Sequence, residues 1–182
     1  MTENAGVLAK VRGGGTVPPR VRAAEILWSW VGALLGIGAV AWLDSRVTSG
    51  TASVWMIGSF GASAVLVYGT VRSPLAQPRN LVGGHVLSAI VGVVICKLLP
   101  EQPMLAAPLA VATAIAVMHA TRTLHPPGGA TALIAVIGGP AIRDLGFFYV
   151  LVPVAAGAAI LLTIAVLVNN LAPQRRYPEY WW

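Results

Sequence analysis

From residue 147 to residue 168 the chain carries no charge at all, nor do 26–43, 52–71 and 104–121, and 81–99 carries only Lys97. A helix needs about 20 apolar residues to cross a bilayer core about 30 Å thick. Each of these runs is near that length, so the chain reads as a polytopic membrane protein. Composition agrees, with 57% hydrophobic residues, 10% charged residues and a mean hydropathy of +0.77. Soluble domains carry about 25% charged residues. The basic pI, about 10.3, does not imply nucleic-acid binding, because Lys and Arg are scattered between apolar runs instead of clustering on a solvated face.

The lone Cys96 leaves no disulfide framework and no zinc spacing. Residues 1–22, polar and Gly-rich, look like neither a signal nor a transit peptide, and a flexible basic arm is expected. Residues 23–172 make the membrane domain. Residues 173–182 make a basic, aromatic tail, whose Tyr177, Tyr180, Trp181 and Trp182 are expected at the headgroups.

One more apolar segment, 128–139 (GGATALIAVIGG), fifth in chain order, is too short to cross: 12 residues of helix rise only about 18 Å. Before it, His125 precedes Pro126 and Pro127 and is pushed toward extended backbone. The segment is therefore either a re-entrant half-helix or a span with an unwound half. Non-helical backbone at membrane depth is tolerated where it is packed in protein or lines a cavity. The expected fold is all-α, a transmembrane bundle of six segments with broken or half helices. With six crossings and a cytoplasmic N-terminus, Lys10, Arg12, Arg20, Arg22, Arg72, Arg79, Arg122, Arg175 and Arg176 fall inside. Arg46, Lys97 and Arg143 then fall outside, the excess that the positive-inside rule favours. If 128–139 dips and returns, the excess shrinks.

The second and fifth segments echo each other. Gly61, Ala62, Ser63 and Ala64 parallel Gly129, Ala130, Thr131 and Ala132, and each run is followed by a turn with proline and arginine. Taken as a duplication, this gives three segments plus three, inverted in the membrane, a common transporter plan. Half-helices starting near Gly61 and Gly129 would point positively polarised N-termini and unpaired N–H groups inward. With Ser59, Ser63, Gly128 and Thr131 beside them, they would suit a small anion. The same small residues also make ordinary packing faces between membrane helices.

Several polar residues add to this site. His125 is placed to donate to an anion or carry a proton, or to satisfy an orphan carbonyl at the helix break. His85 lies inside the third segment, where ionisable residues face a cavity or a partner, with Asn80 and Arg79 five and six residues earlier. Arg79 and Arg122 could bind an oxyanion or snorkel to the interface. No paired carboxylates lie in the segments, which argues against a divalent-cation path. No nucleotide loop, metal-protease motif or cofactor motif is present, so neither an enzyme nor a metal or cofactor is expected.

Four stretches together resemble the HPP family of integral membrane proteins: GSFGASAVLVYG (58–69), SPLAQPRNLVGGHVLSA (73–89), TRTLHPPGGATAL (121–133) and VNNL…RRYP (168–178). Gly128 stands where the family is expected to have alanine, a change that should loosen the turn. Plant and cyanobacterial members are associated with nitrite transport, so the resemblance implies transport of nitrite or a similar small anion. The expected location is a bacterial inner membrane, multi-pass, with both termini cytoplasmic. The Gly-rich faces are compatible with a homo-oligomer. The competing reading is a structural or regulatory membrane module without transport, and a third is an intramembrane enzyme using His125.

Overall fold

A computed structural model describes residue 11 and residues 15–47 and 54–182. Lys10, Arg12, most of the expected arm and the start of the second segment at Ala52 lie outside the described residues. Helix α1 spans Ala23–Val47, α2 Gly58–Ala64, α3 Pro78–Leu98, α4 Pro103–Ala120, α5 Pro126–Ile137, α6 Pro140–Arg143 and α7 Ala156–Leu171. A π-helical stretch, Val65–Gly69, continues α2, and another, Val150–Ala155, leads into α7. Pro74–Ala76 is a 3-10 turn. Pro78, Pro103, Pro126 and Pro140 each open a helix, at the position where a missing N–H costs least. Because α4 begins at Pro103, Pro108 falls inside it, past the first turn, and takes one hydrogen bond out of the ladder.

Among the described residues, four helices are long and apolar enough to cross a membrane: Ala23–Val47, Pro78–Leu98, Pro103–Ala120 and Val150–Leu171. Two apolar helices are shorter, Gly58–Gly69 and Pro126–Ile137. The second segment thus contains only a short helix.

Hydrogen bonds sort the helix ends into two groups. At one end Arg22 and Arg72 both reach Gln174, and Arg79 donates to the Thr121 carbonyl. At the other, the Trp55 N–H reaches Asp44 and Arg143 donates to the Pro100 carbonyl. The six apolar helices therefore run alternately between the two ends, and both ends of the bundle chain meet where Arg22 approaches Gln174. Arg20, Arg22, Arg72, Arg79, Arg122, Arg175 and Arg176 share that arginine-rich end. The short helices α2 and α5 run in opposite directions. Helix α1 packs on α7 as α3 packs on α4, and α2 with its π extension packs on α1 as α5 packs on α4. These two pairings match a three-plus-three inverted arrangement, whereas the extensive α3–α5 contact has only a slight counterpart between α2 and α7.

Close approach of α2 to α1 depends on glycine. Tyr68 lies across α1, where a Cβ at Gly36 would fall 2.1 Å from its hydroxyl oxygen and one at Gly32 2.6 Å from its ring. The Tyr68 hydroxyl donates across the bundle to the Leu161 carbonyl at 3.0 Å.

One tail aromatic, Tyr177, departs from its expected headgroup placement, while Tyr180 is exposed. Tyr177 is 2% exposed and donates to the Ala76 carbonyl at 2.8 Å; burial pushes its phenol further above the ordinary tyrosine range. Asn170 holds the Tyr177 backbone through both its N–H and its carbonyl. Arg175, counted from sequence as an interfacial charge, has a side chain only 4% exposed, and it pairs with Glu25 at 2.8 Å. It also donates to the Tyr68 carbonyl, Asn169 and Ser29. Trp181 and Trp182 remain exposed.

Candidate functional site

At the meeting point of the two short helices lies a fully buried polar cluster in an otherwise apolar bundle: Ser63 of α2, His85 of α3, His125 at the start of α5, and Thr131 within it. Ser63 Oγ is 2.7 Å from His85 Nε2 and 2.8 Å from His125 Nε2. The other nitrogen of His85, Nδ1, is 2.7 Å from Thr131 Oγ1. The other nitrogen of His125, Nδ1, donates to the Leu75 carbonyl at 2.7 Å. The two imidazoles lie 5.0 Å apart, and the Phe60 ring meets His85 edge-on at 5.4 Å.

Small residues allow this convergence. A Cβ at Gly84 would lie 2.5 Å from the His125 Cβ. A Cβ at Gly128 would lie 2.7 Å from Ser88 Oγ and 2.9 Å from the Gly84 carbonyl oxygen. Gly128 therefore serves the close approach of α5 to α3, a different role from the looser turn expected of it. The loop that presents Leu75 is itself fastened. Ser73 caps the 3-10 turn through the Leu75 N–H, and buried Gln77 donates to the Val71 and Ser73 carbonyls. Gln77 also accepts the Glu179 N–H from the tail.

Buried polar atoms are normally hydrogen-bonded. Two hydroxyls beside the cluster, Ser59 Oγ and Ser88 Oγ, are buried without a partner. Ser59 lies one turn before Ser63, and Ser88 one turn after His85. The sequence reading missed Ser88, though its i+3 spacing from His85 puts it on the same face of α3. It also missed Tyr149, whose hydroxyl holds the Thr131 carbonyl at 3.1 Å and which no local pattern marks.

Other expected site residues fall elsewhere. Asn80 ties α3 to the Leu124 carbonyl at 2.8 Å, and Arg79 ties it to Thr121. Arg122 is exposed, with a positive φ of 57°. Its N–H reaches the His119 carbonyl, and that of Thr123 reaches Met118, the hydrogen-bond pattern of a Schellman stop to α4. Gly61 is exposed with open space around it. Gly129 lines an apolar groove of about 430 Å³ beside Val111, Ile115 and Leu133. A second, open pocket of about 530 Å³ at the arginine-rich end is lined by Arg20, Arg22, Arg72, Arg175 and Ser73. Ser73 is two residues from the carbonyl that receives His125.

Residues 18–178 match the family described as HPP, transmembrane region. The chain belongs to the HPP transmembrane family. It is 48% identical over 176 residues to one transmembrane protein of Dictyostelium discoideum, covering 95% of this chain and 56% of that protein. A second transmembrane protein of the same organism is 46% identical over 168 residues, covering 91% of this chain and 59% of that protein. The chain thus spans less than two thirds of the length of these relatives. No solved structure matches.

In this HPP protein the tripeptide His125, Pro126 and Pro127 makes a sharp entry into α5. His125 is the N-cap residue with extended backbone (φ −137°, ψ 102°), and the two prolines occupy the first helical positions. Their fixed φ suits a helix start and removes two N–H groups that have no helical partner there. The histidine side chain is then left to face Ser63 and Leu75.

Proposed function

We propose that this HPP protein moves a small monovalent anion, nitrite first, across a membrane, and that the buried Ser63, His85, His125 and Thr131 cluster is where the anion passes. The observation that carries this reading is the junction itself. Two short, oppositely directed helices leave a concentration of hydroxyl and imidazole groups deep in an apolar bundle, flanked by the unpartnered hydroxyls of Ser59 and Ser88. Hydrogen bonds to a charged acceptor contribute about 1.5–3 kcal/mol each, so a few such donors offset part of the cost of burying one small anion. The arginine-lined pocket gives the same end of the bundle a positive vestibule, which raises the local anion concentration. Membership of the HPP family agrees with this reading.

The proposed location is a plasma membrane, the inner one in a bacterium, with the arginine-rich end cytoplasmic as the positive-inside rule favours. The competing reading, a membrane module without transport, draws on the mutual satisfaction of the four cluster residues, which would also serve packing alone. Flux measurements separate the two. Purified protein in liposomes is tested with nitrite, nitrate, formate and chloride. Protein-dependent flux led by nitrite is the expected result; no flux of any of the four from well-folded protein would overturn the proposal.

A further inference from the structure

We infer that the cluster is a one-proton relay, and that the anion therefore crosses together with a proton. This second step rests on the transport reading above; the relay itself rests on the hydrogen-bond geometry.

Counting donors fixes every proton when both rings are neutral and all four ring nitrogens are paired, as buried nitrogens require. The Leu75 carbonyl can only accept, so His125 carries its proton on Nδ1. Its Nε2 then presents a lone pair, and it is satisfied only when Ser63, 2.8 Å away, donates its hydroxyl hydrogen there and not to the more distant Ser59 carbonyl at 3.1 Å. Having spent its one hydrogen, Ser63 can only accept from His85, which places the His85 proton on Nε2. The His85 Nδ1 lone pair accepts from the Thr131 hydroxyl. The two histidines are thus held in opposite tautomers, and all four links point one way, from Thr131 through His85 and Ser63 to His125.

Such a chain moves a proton by switching. A proton added at His85 Nδ1 makes that ring a double donor. His85 Nε2–H then passes its proton to Ser63 Oγ while Ser63 passes its own to His125 Nε2, so one N–H and one O–H bond break and one of each forms. His125 ends as the imidazolium, and Ser63 now donates back to His85 Nε2. The His85 proton on Nδ1 now points at Thr131 Oγ1. The Thr131 hydroxyl has an alternative acceptor in place, the Pro127 carbonyl at 3.3 Å. Every group is satisfied in both states, and hydrogen-bonded chains of this kind polarise cooperatively.

The relay holds one proton, because the rings are 5.0 Å apart and two imidazoliums at that separation repel strongly. The titratable groups facing the pair are few. From α3 come His85 itself and the uncharged Asn80 and Ser88. The α2 groups are Ser59, Ser63 and the Phe60 ring, and α5 contributes His125 and Thr131. Tyr149 acts through the Thr131 carbonyl, and the Pro74–Ala76 turn presents only a carbonyl. With no carboxylate among them, the counter-ion to a histidinium here is a bound anion. Each stabilises the other in a low-dielectric site, which links anion entry to proton uptake.

Two measurements test this on the intact protein. Nitrogen-15 spectra of histidine-labelled protein in lipid at neutral pH should show one Nε2–H and one Nδ1–H ring for His85 and His125, assigned with His85→Asn and His125→Asn. The same tautomer on both rings would overturn the relay, whatever the flux result. In liposomes, the protein-dependent initial rate of nitrite uptake, corrected for protein-free vesicles, should rise with an inward pH gradient. It should be unaffected by a potassium diffusion potential. An uncompensated anion would respond to 100 mV with about a 50-fold change in accumulation. Nitrite flux that follows the potential and ignores the pH gradient would overturn proton coupling while leaving transport standing. No flux of any anion would overturn both the coupling and the transport reading.

Discussion

Ser63 and Thr131 occupy opposite ends of one imidazole: Ser63 Oγ is 2.7 Å from His85 Nε2, and Thr131 Oγ1 is 2.7 Å from His85 Nδ1. These are the hydroxyl positions of the sequence echo between the second and fifth segments. Each also approaches the carbonyl four residues earlier, Ser59 and Pro127. The repeated pattern therefore converges on His85 itself, a residue of α3 outside both echoing runs.

Removing one end of that arrangement leaves a buried nitrogen unpaired. Thr131→Val keeps the shape and deletes the hydroxyl, so it should cost about 1–3 kcal/mol of stability. Unfolding in detergent, monitored by circular dichroism, reads the loss. An unchanged transition would mean that Thr131 contributes nothing to holding His85.

Gly128 sets how closely α5 lies on α3. Gly128→Ala brings a Cβ to 2.7 Å from Ser88 Oγ and 2.9 Å from the Gly84 carbonyl oxygen, an overpacking that should cost about 1–3 kcal/mol. Ser88→Ala removes the nearer atom and should recover part of the loss in the double variant. Strict additivity of the two substitutions would show that the contact is absent.

Arg122 sits in the left-handed region at the stop of α4. Glycine adopts that conformation without a Cβ penalty, so Arg122→Gly should leave stability unchanged or raise it by about 0.5–1 kcal/mol. A clear destabilisation would mean that the exposed guanidinium has a partner in the membrane or at the surface.

The tail clasp should matter far more than its place at the chain end suggests. Arg175→Met loses the Glu25 ion pair and the bonds to the Tyr68 carbonyl, Asn169 and Ser29. The expected cost is about 3 kcal/mol or more, tempered by the part-exposed Glu25. A variant that unfolds at the wild-type temperature would contradict this.

Much of the fold was legible because membrane segments announce themselves by length and charge. The segments read from 81 and 104 begin slightly earlier, at Pro78 and Pro103, prolines that a count of apolar residues passes over. The short fifth segment was readable in length, but its helix begins at Pro126 instead of 128 and ends at Ile137. Convergence of His125, Ser63, His85 and Thr131 could be expected only as separate candidates, because nothing local tells which faces of two short, small-residue helices turn inward. Gly61 shows the difficulty: its hydroxyl neighbour Ser63 points into the cluster while Gly61 itself faces out. Arg175 and Tyr177 were misplaced because arginine and tyrosine near a membrane surface look alike whether they meet headgroups or fold back onto carbonyls.

The most direct test of anion passage through the cluster is the initial rate of nitrite uptake into liposomes, wild type against His125→Ala, with both proteins matched for thermal unfolding. Wild type should show protein-dependent uptake and the variant should lose it. Equal uptake by the two folded proteins would contradict a path through His125.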